Sequence, residues 1–224
     1  MKSLYARYIR SILSLSAITF TGFTFIGLNL LGLNLIGTKA MAAEIILGQS
    51  AALSGPTSNL GQNLKRGIDA YLANVKDVKV ESLDDKYEPN LCQENTKNLL
   101  AKNVAALLGY VGTPTTKVAI PLAMSAKKVF FGAVTGAPFI VDAAANPYAF
   151  NLRASYDDET EAMVNLLVEK GIKKIAIFVQ NDAFGDVGKA GTLKALRKHN
   201  LEPAAEGRYE RNTIAVKDGA DKVL

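Results

Sequence analysis

Leu108-Gly109-Tyr110-Val111-Gly112-Thr113-Pro114-Thr115 sets an apolar strand end, a glycine-rich turn and a Thr-Pro helix start side by side. A strand over 105–108 leads in. Gly109 and Gly112 let the backbone bend sharply, Thr113 offers an N-cap hydroxyl, and Pro114 suits the first helical position. In an open parallel sheet, ligands bind outside the carboxyl ends of the strands, where helix-start N–H groups favour an anion. A carboxylate held by the Thr113 hydroxyl and nearby amides fits this stretch, and so does plain helix capping by Thr113.

Working outward, the same strand-then-helix alternation recurs. Strands are expected over 44–49, 78–83, 105–108 and 129–133, with helices over 61–74, 90–102 and 115–126 between them. Leu64, Ile68, Tyr71 and Leu72 share one side of the first helix. Short strands rich in Val, Ile, Leu and Phe, each followed by a helical period, predict an α/β fold with parallel sheets covered by helices. Right-handed crossovers gather the strand ends Ser54, Asp84-Asp85, Gly112-Thr113 and Val134-Thr135-Gly136 on one edge.

The alternation breaks over 143–153, which reads as the passage into a second domain. There, helices are expected over 157–170 and 184–199, strands over 174–179 and 203–209, and a last helix begins near Val216. Two strands fall short of the about four to six usual in a sheet, which points to a fragment or truncated frame. The division is 1–42 as a signal peptide, 43–150 as a first α/β lobe, and 151–224 as the start of a second.

The leader explains the charge of the chain. Lys2, Arg7 and Arg10 precede an uncharged apolar run over 11–37, and Lys39-Ala40-Met41-Ala42-Ala43 supplies small residues at an A-x-A spacing for cleavage after Ala42. That run is also long enough to span a bilayer, so an uncleaved anchor stays open. No cysteine near Ala42 supports lipid attachment. The leader holds four basic residues and no acidic one, so the remainder has 26 − 4 = 22 basic against 21 acidic residues, a net of +1. Such a balance gives no pull on nucleic acid.

Cys92, the only cysteine, has no intramolecular disulfide partner and reads as a buried helix residue. His199, the only histidine, reads as a solvated helix-end residue, and no ligand set for a metal is evident. No nucleophile with its base, dinucleotide fingerprint or P-loop lysine appears, so neither enzyme activity nor a cofactor is expected. Asp84-Asp85 comes nearest to a catalytic pair, but neighbours on a strand point to opposite faces, and a solvated strand end explains them.

With these elements placed, the part from about Glu44 onward resembles the periplasmic branched-chain amino-acid-binding proteins of ABC importers. The resemblance rests on six segments in order: Gly48 to Pro56, Asp84-Asp85-Lys86-Tyr87-Glu88-Pro89, Leu108 to Thr115, Thr135-Gly136-Ala137, Phe150 to Tyr156, and Gln180-Asn181-Asp182-Ala183-Phe184-Gly185. It implies a two-lobed type I periplasmic-binding-protein fold with doubly wound parallel sheets, here with an incomplete second lobe. It also implies a periplasmic monomer that closes on a small zwitterionic ligand and hands it to a membrane permease.

Carried over by position, Thr113 matches the hydroxyl that binds the ligand carboxylate. The Ala133 carbonyl matches the acceptor for the ammonium, and Thr135 matches a contact through both hydroxyl and N–H, with strand-end turn chemistry as the alternative. Leu60 falls where the family often has an aromatic wall and Phe184 where it often has Tyr; packing beneath a helix start capped by Asp182 is the other role for Phe184. Two departures follow from the resemblance. Cysteines that pair in some members stand at the positions of Tyr87 and Gly112 here, and the acidic group that meets the ammonium lies past Leu224, so residues 43–224 are expected to bind weakly or not at all. A ligand-sensing receptor ectodomain, held by an uncleaved anchor, and a non-functional remnant are the competing readings.

Overall fold

The structure, a computed structural model, describes residues 44–224; the leader lies outside the described residues. A five-stranded parallel sheet is built from β1 (Ile45–Ala51), β2 (Val78–Asp84), β3 (Ala106–Leu108), β4 (Val129–Phe131) and β5 (Ala149–Phe150), in the order β2-β1-β3-β4-β5. The crossover helices are α1 (Ser58–Leu72), α2 (Pro89–Ala101) and α3 (Thr113–Ser125). β1 pairs with β2 along its whole length, from Ile45 opposite Val78 to Ala51 opposite Asp84. This register brings the carboxyl ends of both strands to one edge.

On one face of the sheet, Leu107 and Phe130 pack with Leu99, Ala119, Ile120 and Ala123 into a core that α2 and α3 cover. Tyr110 lies buried against Phe130, ring centroids 4.8 Å apart. Leu64, Ile68, Tyr71 and Leu72 of α1 share one side as expected, and with Leu47, Leu108 and Phe131 they line an apolar cavity of about 530 Å³ on the opposite face.

A second, two-stranded sheet follows with its own helices: α4 (Tyr156–Glu169), β6 (Ile177–Gln180), α5 (Ala183–Lys198), β7 (Glu206–Tyr209) and the short α6 (Lys217–Ala220). β6 and β7 pair in parallel, Ile177 opposite Glu206. Val164, Ile175, Ile177, Ala195 and Leu196 form its core.

Several expectations are corrected. The passage over 143–153 contains β5, which joins the first sheet beside β4; two residues carry too little periodicity to read. β4 stops at Phe131, because Gly132 turns left-handed at φ 63°. β6 and β7 start later than expected, since Pro203 has no N–H for a ladder and pairing begins beyond it. α6 is a single turn.

Candidate functional site

Gly109 (φ 62°) and Gly112 (φ 100°) both take backbone conformations that side chains rarely adopt, as the turn requires. A Cβ on Gly112 would stand 2.0 Å from Tyr87 Cε2, so the Tyr87 ring lies directly on this glycine. The two positions that the resemblance links by a disulfide in some members are thus in contact here.

Thr113 does not cap the helix. Gly112 is the N-cap, with ψ 153°, and α3 begins at Thr113. Once the turn is made at Gly112, Thr113 is already helical, and its hydroxyl is directed elsewhere. It lies 2.7 Å from the hydroxyl of Thr135, and both residues are fully buried. Thr115 takes the local work, donating to the carbonyls of Val111 and Gly112.

The strand ends are fastened together around this pair. Val134 N–H donates to the Tyr110 carbonyl (2.8 Å) and Gly112 N–H to the Val134 carbonyl (3.2 Å). Thr135 Oγ1 accepts from Ala137 N–H at 3.1 Å, and Asn151 Nδ2 donates to the Thr135 carbonyl at 2.6 Å. Two hydroxyls carry two protons, and only one is used in the bond between them. The other is available to an acceptor such as a carboxylate. Helix-start N–H groups lie beside it: Pro114 has none, and Thr116 N–H is taken by the Gly112 carbonyl at 3.0 Å, which leaves those of Thr113 and Thr115 without intrahelical acceptors.

One expected contact is corrected. Thr135 N–H donates to the Ala133 carbonyl at 2.9 Å, so it is spent within the turn. Ala133, buried, keeps one carbonyl lone pair for a donor.

Leu60 and Phe184 stand outside the hydrogen-bonded cluster. Leu60 is 54% exposed on the first turn of α1, and Phe184 is 39% exposed at the start of α5. Asp182 caps that helix as expected, accepting from the N–H groups of Phe184 and Gly185. The Phe184 ring meets Tyr156 edge-on, centroids 5.6 Å apart, and Tyr156 N–H donates to the Gly136 carbonyl at 2.7 Å. Phe184 is therefore linked to the Thr135 strand end through Tyr156.

Asp84 and Asp85 differ from the solvated strand end expected of them. Asp84 accepts from the N–H groups of Leu53 (2.8 Å) and Lys86 (3.0 Å). Its partial burial raises its pKa, but these bonds and one from the Ser54 hydroxyl outweigh burial and hold the carboxyl below its usual range. Asp85 is fully buried and accepts from Ser50 Oγ (2.7 Å) and Tyr87 N–H (2.9 Å). Burial pushes it up to about 6 against those bonds. Between them, the carboxylates hold Lys86 and Tyr87 in consecutive left-handed conformations (φ 53° and 63°), each of which costs about 1–2 kcal/mol for a residue with a Cβ.

Cys92 is buried, its Sγ 3.5 Å from the Thr115 carbonyl, and burial pushes its thiol up out of the reactive range. His199 is corrected from solvated to half-buried, with Nε2 2.6 Å from Asn165 Oδ1. Among the described residues, no three His, Cys, Asp or Glu converge as a metal site, and no helix is long and apolar enough to cross a membrane. The 530 Å³ cavity under α1 is apolar apart from Asn63 and offers little to a zwitterion.

Composition and spacing alone did not single out Tyr87, Tyr156, Asn151, Arg211 or Asn212. The first three lie within or beside segments that carry the resemblance; Arg211 and Asn212 have no local signal.

The family described as periplasmic binding protein matches residues 44–222. No curated protein sequence matches the chain. Among solved structures, a possible leucine/isoleucine/valine-binding protein from Rhodopirellula baltica SH 1 is 40% identical, with a TM-score of 0.73, over 81% of this chain and 53% of that one. A substrate-binding periplasmic protein from Ralstonia solanacearum is 28% identical, with a TM-score of 0.74, over 80% of this chain and 53% of that one. A solute-binding protein of an ABC transporter from R. palustris, in complex with 4-hydroxybenzoate, is 22% identical, with a TM-score of 0.63, over 71% of this chain and 45% of that one, a likeness of fold alone. The chain thus spans about half the length of these solved structures, 53% of the first. The parallel α/β sheet, its edge of strand ends and the match over residues 44–222 converge on one assignment: this chain belongs to the periplasmic binding protein family.

Proposed function

We propose that the chain is an extracytoplasmic solute-binding protein that captures a small amino acid or a related carboxylate and delivers it to an ABC importer. The observation that carries this reading is the buried Thr113–Thr135 hydroxyl pair, with one proton unspent, beside unpaired helix-start N–H groups and the Ala133 carbonyl. Neutral dipoles of this kind suit a carboxylate that has left water, because they solvate it without a buried counter-charge. In this reading Thr113 and Thr135 hold the carboxylate and Ala133 accepts from an ammonium. Phe184 and Leu60 meet the apolar part of the ligand.

The lobes divide at residues 150 and 151, residues 1–42 are a signal peptide, and the exported protein acts as a monomer. The name of the R. baltica protein favours a branched-chain amino acid and the R. palustris complex an aromatic acid; both ligand classes carry a carboxylate. Uptake of labelled leucine and labelled 4-hydroxybenzoate by cells with and without the gene tests the transport role. Loss of one uptake activity on deletion, restored by the gene, is expected; unchanged uptake of both, and of other amino acids, contradicts it.

The apolar run over 11–37 supports a second reading, a sensing ectodomain held by an uncleaved anchor. Fractionation of expressing cells separates the two: release of the protein in soluble form with Ala43 as its first residue favours transport, and retention with an intact N-terminus favours sensing.

A further inference from the structure

The loop after β2 looks two ways. On its inner side, Asp84 and Asp85 fix the left-handed pair Lys86–Tyr87, so that Tyr87 lies over Gly112 at the head of α3. On its outer side, the Lys86 carbonyl and the Glu88 carboxylate meet the segment that follows β7. Arg211 donates to Glu88 Oε2 at 2.7 Å. Asn212 Nδ2 donates to Glu88 Oε1 at 2.7 Å and to the Lys86 carbonyl at 3.0 Å. The amide oxygen of Asn212 accepts from Thr57 Oγ1, in the turn before α1, at 3.0 Å. Arg211 also lies 3.6 Å from Asp182, the cap of α5.

Asn212 is itself left-handed (φ 57°), a conformation that Asn tolerates better than most residues, and this lets one side chain bond two loops at the edge of the first sheet at once. The Arg211 and Glu88 side chains are only 24% and 36% exposed, so their ion pair is better shielded than a surface pair, and it shares its carboxylate with the Asn212 amide. The same groups are well hydrated when apart, which makes the contact reversible.

We propose that the 84–88 loop and the Arg211–Asn212 tip form a latch that holds the two sheets together beside the Thr113–Thr135 edge. Under the solute-binding reading, on which this consequence rests, the latch sets how long a ligand is retained. Asn212 and Arg211 are then positioning residues that need not touch the ligand.

The test uses the full chain with spin labels on Lys97→Cys in α2 and Lys222→Cys just after α6, both exposed; Cys92 is buried and stays unlabelled. Distances are measured by double electron–electron resonance without ligand and with millimolar leucine or 4-hydroxybenzoate. Asn212→Asp keeps the left-handed preference but sets a second carboxylate against Glu88. Glu88→Gln leaves one acceptor for two donors. Each variant is expected to shift the ratio of long to short distances roughly tenfold, about the worth of one charge-assisted hydrogen bond, with the circular dichroism spectrum unchanged. Distance distributions that superimpose on that of the parent overturn the latch. If both variants lengthen the distance while neither ligand alters the distribution or binds any form, the latch stands and the solute-binding reading fails.

Discussion

The carboxyl edge of the first sheet and the facing edge of the second are made of different material. The first is buried and neutral: Thr113, Ala133 and Thr135 are fastened by short hydrogen bonds over a large apolar core. The second is half exposed and charged, with Phe184 at its rim and Arg211, Asp182 and Glu210 beside it, over a core of five residues under two strands. Under the solute-binding proposal, the first edge is the one preorganised for a ligand and the second is a cover that can part from it.

Deleting a large side chain from the first core is expected to do the most harm. Phe130→Ala removes a buried ring that stacks on Tyr110 and should cost about 3–5 kcal/mol in urea unfolding. Leu196→Ala in the smaller core should cost about 2–5 kcal/mol and should raise amide exchange mainly in α4 and α5. Equal loss of protection around both sheets would erase the contrast.

Gly112→Ala probes the turn itself. Its φ of 100° with ψ 153° is nearly exclusive to glycine, and the new methyl would collide with Tyr87. A loss of about 1–3 kcal/mol is expected. Adding Tyr87→Ala should recover the part due to the collision and leave the part due to the backbone; a strictly additive double variant would disprove the contact.

Asp85 gives the first edge a pH dependence. Burial disfavours its charge and pushes the carboxyl up to about 6, from its ordinary 3.8. The native state therefore holds more protons than the unfolded state between these values, and this contribution to stability falls as pH rises through about 6 and is level above it. Asp85→Asn should be more stable than the parent above pH 6 by roughly 1–3 kcal/mol, with the gap closing toward pH 4. A gap that is constant with pH contradicts the assignment.

The smallest effect belongs to the second edge. Asp182→Ala removes the cap of α5 and should cost about 1 kcal/mol. Asp182→Ser should recover most of it, since a hydroxyl can take the same N–H groups.

The contrast between the edges also marks what could be read from the chain. Alternating strands and helices were legible because each short apolar run and helical period is local, and Asp182 ahead of α5 is a local capping signal. The head of α3 was legible in outline, but the cap fell to Gly112, because the turn is completed there and Thr113 is already the first helical residue. Thr135 N–H was assigned to a ligand, although a tight turn satisfies it within two residues. Asp85 reads as solvated at a strand end, and only the long-range approach of Ser50 and the turn at Tyr87 bury it. Arg211 and Asn212 meet residues more than 120 positions earlier, and no local pattern encodes such a meeting.

The central claim is that the Thr113–Thr135 edge receives a carboxylate, and an NMR titration of the 15N-labelled protein tests it most directly. Leucine and 4-hydroxybenzoate would be added to millimolar concentrations, with leucinol and phenol as partners that lack the carboxylate. The account predicts that at least one carboxylate ligand shifts the amide signals around Thr113 and Thr115, that its partner does not, and that Thr135→Val abolishes the shift. No shift with either acid, or equal shifts with and without the carboxylate, would contradict it.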